Sequence, residues 1–354
     1  MVLATAFFRK RRLRDTIKDI GHLSEKEVLV EVTFWGTRGS IPRTMPDSEF
    51  LGLLVAATNQ AKSLGILTLD EFAKAAQDGR LGRPLSYGGA TMCTEVRAGE
   101  HSVFVDMGSG IRDAGTQAMQ RGQKEFHILL THMHWDHLIG FPFFLPLHSK
   151  NCTIHIHHVH KNAPEFVKIK FNGVNFPLIW DQLQAKVEFH HHKVYEPFKV
   201  GALQIASFAL DHPGGCFGYR VDHKGQAVSV AVDGEFKRRT PKELGKDLKF
   251  LQNLDLMVFD SQYDRVELEN RFDWGHCTPV IGVELALRER IKSVAFVHHD
   301  PWSTPHKLQS MAKEAADFLA ANARNYGDVW KDIPSGGPKL IMGYDGLVLD
   351  LDKL

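Results

Sequence analysis

The chain has 354 residues, of which 43% are hydrophobic and 24% charged, an ordinary globular composition with room for one large domain or two of average size. Forty-three Lys and Arg against 42 Asp and Glu leave a formal charge of +1, so the chain carries no broad basic field of the kind that grips a long nucleic acid. Apolar runs such as Ile154 to Val159 and Val294 to Val297 are strand-sized and far short of the ~20 residues that cross a bilayer, which excludes a helical membrane span.

Residues 1–30 read as a basic amphipathic leader, with Leu13, Ile17 and Ile20 at helical spacing and a basic run from Lys10 to Arg14. Phe7 and Phe8 precede that run, the reverse of a secretory signal's order, so a cytoplasmic location is expected. A first strand from Val28 to Phe34 leads into the turn-rich Trp35-Gly36-Thr37-Arg38-Gly39-Ser40-Ile41-Pro42. A similar Tyr87-Gly88-Gly89 turn introduces the next strand, Thr94 to Arg97. Between them, at about 44–85, lies a helical insertion: an apolar stretch from Phe50 to Val55, then Thr68-Leu69-Asp70-Glu71, a capping-box pattern that opens a short helix. The insertion reads either as a lid over a substrate entrance or as the contact of a homodimer.

From Val103 onward, short β-branched or aromatic strands run into polar residues. Val103 to Val105 meets Asp106, Ile128 to Leu130 meets Thr131, Val228 to Val232 meets Asp233, Leu256 to Phe259 meets Asp260, and Val294 to Val297 meets His298. Further strands are expected at Ile154 to Val159 and Leu203 to Phe208, and helices at about 280–290 and 306–325. Such a mixture implies sheet layers covered by helices, in one composite domain.

Four widely spaced cysteines, Cys93, Cys152, Cys216 and Cys277, suggest neither a disulfide framework nor a thiolate metal site. Histidine is the unusual residue, with 20 copies. The densest group is Thr131-His132-Met133-His134-Trp135-Asp136-His137, directly after an apolar strand. On a loop leaving a strand, His132 and His134 can point the same way while Asp136 and His137 aim at an adjacent point. Four ligands within six residues suit two metal ions better than one, and imidazole with carboxylate suits Zn²⁺, with Mn²⁺ or Fe as alternatives. An isolated His-x-His would read as a solvated loop; the full string does not.

This string resembles the His-x-His-x-Asp-His motif of the metallo-β-lactamase-fold hydrolases, and the resemblance runs in order over about residues 30–350. It implies an α/β fold, the αββα sandwich, over residues 31–354. Asp106-Met107-Gly108 is similar to the acidic motif that supports the metal loop. The resemblance further implies that His132, His134 and His212 hold one metal and Asp136, His137 and His298 the other, with Asp233 and a hydroxide between the two. His276, in Gly275-His276-Cys277-Thr278, would stabilise or protonate the leaving oxygen, oriented by Asp260. Asp106 or Asp211 would accept a hydrogen bond from a metal-bound imidazole. Strand neighbours point to opposite faces, so only one of His298 and His299 can face the metals, and the resemblance places the ligand at His298.

The opening Gly-Thr-x-Gly-Ser loop, the Tyr-Gly-Gly turn and the His276 motif resemble the phosphodiesterase branch of the superfamily, which includes tRNase Z and cyclic-nucleotide phosphodiesterases. The chain departs from that branch at Cys277, where Ser is usual, and in the 44–85 insertion. His134 stands where flavodiiron relatives carry Glu, which disfavours a redox role. The implied enzyme is a metal-dependent hydrolase of small anionic, cyclic or nucleotide-like phosphodiesters, with nucleic acid less favoured and no membrane partner. Two rivals remain: a lactone, thioester or amide hydrolase on the same centre, and a non-catalytic metal-binding sensor or interaction protein. Outside the site, His155, His157, His158 and His160, and the surface-like run His190-His191-His192, read as solvated or packed side chains, although such runs can bind metal adventitiously. Phe141-Pro142-Phe143-Phe144 reads as core.

Overall fold

The computed structural model describes residues 30–77, 80–81, 86–327 and 337–354. The basic leader, including Leu13, Ile17 and Ile20, lies outside the described residues, as does Val28.

Among the described residues, fourteen strands form two seven-stranded sheets. In chain order they are β1 (Val30–Gly36), β2 (Cys93–Ala98), β3 (His101–Val105), β4 (Glu125–Leu130), β5 (Thr153–His158), β6 (Lys186–His191), β7 (Phe198–Val200), β8 (Leu203–Leu210), β9 (Cys216–His223), β10 (Gln226–Ala231), β11 (Leu256–Asp260), β12 (Ser293–Val297), β13 (Lys339–Met342) and β14 (Val348–Asp350). The helices are α1 (Asp47–Ser63), α2 (Leu69–Gln77), α3 (Ile111–Gln120), α4 (Ala163–Lys168), α5 (Pro241–Leu244), α6 (Arg265–Asn270), α7 (Pro279–Glu289) and α8 (Pro305–Asn322). The first sheet runs β14-β1-β2-β3-β4-β5-β6 and the second β13-β12-β11-β10-β9-β8-β7.

Strand alternation divides the apolar residues among three layers. Val103 and Val105 of β3, Leu129 of β4, Leu256 and Val258 of β11, and Ala295 and Val297 of β12 fill the space between the sheets. Phe104, Phe126, Ile128 and Leu130 point to the opposite face of the first sheet, against Ile111, Ala114 and Ala118 of α3. Met257, Phe259, Val294 and Phe296 do the same on the second sheet, against Val283, Ala286 and Leu287 of α7 and Ala315 of α8. The layers are therefore helix, sheet, sheet, helix, as expected. Phe141 and Phe144 are buried core, whereas Phe143 is exposed.

Runs β3-β4-β5-β6 and β10-β11-β12-β13 are parallel. Their carboxyl ends open side by side, where loops of an open α/β sheet gather functional groups. Asp106 (φ 65°), Asp233 (φ 62°) and His298 (φ 61°) adopt left-handed backbone just as their strands end, which turns each side chain out of its sheet.

The 44–85 segment contains two helices, and its Thr68/Glu71 box forms as expected, with Thr68 N 3.2 Å from a Glu71 oxygen and Glu71 N 3.2 Å from Thr68 Oγ1. The Phe50 to Val55 stretch is helix α1, and it leaves Phe50, Leu51, Leu54 and Val55 exposed. Strands β6, β7, β9, β13 and β14 were not expected. His190 and His191 belong to β6, the edge strand paired in parallel with β5, and His191 is exposed, as a surface-like run implies. Among the described residues, no helix is long and apolar enough to cross a membrane.

Asp345 ties the two turn-rich loops together. Its carboxylate accepts hydrogen bonds from Thr37 N (3.0 Å), Thr37 Oγ1 (2.8 Å), Gly89 N (2.8 Å) and Ala90 N (2.8 Å). Asp345→Ala leaves these donors without their acceptor and should lower stability by about 2–4 kcal/mol, read as a fall in the denaturant midpoint.

Candidate metal centre

All seven residues named as ligands from the sequence lie at one place. Four overlapping groups of facing nitrogen and oxygen atoms occur: His132, His134 and His212; Asp136, His137 and His298; His132, His137 and Asp233; and Asp233, Asp260, His276 and His298. His134 Nδ1 is 3.1 Å from His212 Nε2. Asp136 Oδ2 is 3.2 Å from His137 Nε2 and 3.1 Å from His298 Nε2. Asp233 stands between the groups, with Oδ2 3.0 Å from His137 Nε2, and Oδ1 3.3 Å from His298 Nε2 and 3.9 Å from His212 Nε2.

These contacts are close, yet several lack hydrogen-bond alignment. His132 Nε2, His137 Nε2 and Asp233 Oδ2 are buried and have no hydrogen-bond partner. A buried polar atom left unpaired costs ~1–3 kcal/mol, so a cluster of three at one point is explained if a shared cation satisfies them together. The donor set of imidazole nitrogens and carboxylate oxygens fits a divalent ion of the zinc, manganese or iron type.

The charge balance points the same way. Burial alone would raise the carboxyl pKa of Asp136 and Asp233, but the surrounding imidazoles outweigh it and hold both well below the ordinary carboxylate range. In return, His298 is pushed up to about 9: burial opposes the shift, and Asp233, Asp136 and Asp260 overcome it. His299 behaves oppositely. Burial, reinforced by the Arg38 guanidinium, lowers it to about 3, and its Nε2 lies 2.9 Å from the Gly343 carbonyl, away from the cluster.

A second layer fixes the first. Asp106 accepts from His137 Nδ1 (2.7 Å) and from Thr131 N and Oγ1 (2.9 Å each), which sets the ring and the loop behind it. His212 Nδ1 lies 2.9 Å from the Gly275 carbonyl. Asp211, the other residue expected to support an imidazole, instead pairs with Arg238 Nε at 2.7 Å. His276 Nδ1 donates to Asp260 Oδ2 at 3.0 Å, and the other Asp260 oxygen accepts from Cys277 N (3.0 Å) and Gln262 N (3.1 Å). Asp260 thus holds both the ring and the loop that carries it.

Sequence reasoning missed three contributors. Ser40 N donates to Asp136 Oδ2 at 2.7 Å, so the opening loop reaches into the centre. Gly39 is required there, since an added Cβ would lie 2.4 Å from the His298 ring. Glu235 accepts from Asp273 N (2.9 Å) and Gly275 N (3.3 Å) and so anchors the His276 loop. The Gly-Thr-x-Gly-Ser string was the available signal for the first two; an acidic residue two positions after Asp233 carried none.

A family model described as the beta-lactamase superfamily domain matches residues 101–299, more than half the chain. The chain belongs to the beta-lactamase superfamily. It has the metallo-β-lactamase fold. Relatives include a ribonuclease Z from Staphylococcus carnosus, 26% identical over 174 residues, covering 47% of this chain and 53% of that protein. The chain thus spans about half the length of that relative. A ribonuclease Z from Treponema pallidum is 23% identical over 281 residues, covering 66% of this chain and 88% of the relative. Among solved structures, a metallo-β-lactamase fold protein from Bacillus subtilis superposes with a TM-score of 0.57 at 13% identity, over 91% of this chain and 99% of that one.

As a member of this superfamily, the chain invites a direct test of which histidine faces the centre. His298→Ala should deplete bound metal in elemental analysis, whereas His299→Ala should leave the metal content at the parental level.

Proposed function

We propose that this protein is a metal-dependent hydrolase, a dinuclear phosphodiesterase acting on small or cyclic nucleotide-like diesters. The observation that supports it most is the pairing of two ligand groups, His132/His134/His212 and Asp136/His137/His298, on one shared carboxylate, Asp233. When bound, two divalent ions supply Lewis acidity, lower the pKa of water and clamp the oxygens of an in-line displacement. Zn²⁺ suits the donors best.

The remaining steps belong to the chain. Asp136 and Asp233 contribute two negative charges against two divalent ions, so the centre keeps a net positive charge that draws an anionic diester. His276, held at Nδ1 by Asp260, presents Nε2 as the position from which a proton reaches the leaving oxygen. The residue is 9% exposed and its ring stacks on His298 at 5.0 Å, which orients it. Beside the centre lies a cavity of about 190 Å³ lined by His132, His134, His160 and Phe166. Exposed Trp135 and Trp274 flank the two chemical loops, with Lys170 over the first and Arg271 near the second. Flat apolar faces beside cations suit a base and its phosphate.

A second reading, cleavage of RNA, is favoured by one observation: relatives covered over up to 90% of their length are called ribonuclease Z. The near-neutral charge of the chain argues for the smaller substrate, because backbone binding of a folded RNA needs several Lys or Arg contacts to survive physiological salt.

Two measurements test the proposal. Turnover of bis(p-nitrophenyl) phosphate, 3′,5′- and 2′,3′-cyclic nucleotides, precursor tRNA and p-nitrophenyl acetate at fixed salt should rank the small diesters first. Acetate or lactone hydrolysis with inert diesters would contradict it, and tRNA cleavage above the cyclic nucleotides would move the substrate to RNA. His276→Ala should keep its metals and lose about 10²–10⁴-fold in turnover, the loss expected of a general acid. Loss of metal in that variant would make His276 a ligand instead.

A further inference from the structure

The inner face of the first sheet continues past the point where the second sheet covers it, and there it carries histidines instead of aliphatic side chains. Register places His127 of β4 beside His155 of β5, His155 beside Glu188 of β6, and His157 beside His190. Leu129, next along the same face of β4, is already core. Phe198 of β7, the edge of the second sheet, closes the margin by stacking on His157 at 5.0 Å and on His192 at 3.8 Å.

Within this ladder, three side chains aim donor atoms at one point. His155 Nδ1 is 2.9 Å from His190 Nε2 and 3.2 Å from Glu188 Oε2, and Glu188 Oε2 is 3.7 Å from His190 Nε2. Bonds of ~2.0–2.1 Å to a tetrahedral zinc ion put ligand atoms about 3.3 Å apart, which these three edges bracket. The candidate metal centre shows the same spacing, 3.1 Å for His134 to His212 and 3.3 Å for Asp233 to His298. Two imidazoles and one carboxylate, each partly open to solvent, leave a fourth position for water.

We propose that His155, Glu188 and His190 form a second, peripheral site for a divalent transition metal such as Zn²⁺, separate from the hydrolytic centre. The site ties β5 to β6 at the sheet edge. Lys186 Nζ, at 2.5 Å, engages the other Glu188 oxygen and leaves Oε2 facing the rings. The ladder contributes no residue to the hydrolytic cluster, so its occupancy and the hydrolytic activity are independent readouts.

The test is a Zn²⁺ isotherm by equilibrium dialysis on the full chain, with parallel assay of bis(p-nitrophenyl) phosphate hydrolysis. The parent should bind one equivalent more than a His155→Asn/His190→Asn variant, with hydrolysis unchanged. Glu188→Gln, a change at a half-exposed side chain that keeps its size, should weaken the same equivalent and spares the fold if the double variant does not. On the parent itself, Zn²⁺ added after the tighter sites fill should shift the imidazole nitrogen resonances of His155 and His190. Equal zinc binding in parent and Glu188→Gln with unmoved resonances would overturn the site. Loss of the equivalent together with hydrolysis would also overturn it, by assigning that ion to the hydrolytic centre.

Discussion

Asp233 is a buried, ionised carboxylate, and the rest of the centre is arranged around the cost of keeping it so. Such a charge is expensive in an apolar interior unless cations and aligned donors surround it. Here His132, His137, His212 and His298, arriving from three different loops, bring nitrogens within 4.0 Å of it, and a cation shared among them would complete the compensation. Its backbone N donates to Asp260 at 3.2 Å, so the residue that accepts from His276 also fixes the turn that presents Asp233. Asp260 therefore links the candidate metal ligand Asp233 to His276, the group proposed to transfer the proton.

The fold delivers these parts because both sheets end their parallel strands at the same rim. A strand carries apolar residues to both faces and ends in a residue with left-handed backbone, which releases a polar side chain toward the gap between the sheets. Asp106, Asp233 and His298 each follow this pattern. The outer helices supply burial, while the loops at the rim supply the chemistry, and the short Ser40 and Gly39 segment crosses from the first sheet to touch Asp136 and His298. Rigid strands beneath and close packing around the rings keep donor atoms near 3 Å of one another, a spacing that suits a cation.

Much of this was legible in the sequence because its cause is local. The Asp106, Asp233, Asp260 and His298 positions were readable as polar residues ending apolar strands, and the His132 to His137 string as a dense donor set on one loop. That only one of His298 and His299 faces the cluster followed from strand alternation, the motif resemblance chose His298, and the two rings do point to opposite sides. What depended on distant packing was not legible. Asp211 could have supported an imidazole, but Arg238, 27 positions away, reaches it first. Glu235 and Asp345 act through backbone donors that only the folded chain brings near. The His190 to His192 run was legible as surface-like, but not its parallel pairing with β5, about 30 residues away, which stacks His190 on His157. The Phe50 to Val55 helix was recognisable as apolar, yet its exposure has no local signal.

The central claim is that two cations share Asp233. Anomalous scattering at the zinc edge from a crystal of the zinc-loaded protein tests it most directly. The account predicts two peaks at the rim, one among His132, His134 and His212 and one among Asp136, His137 and His298, with Asp233 contacting both. A single peak at full occupancy, or peaks that leave Asp233 without a metal contact, would contradict it.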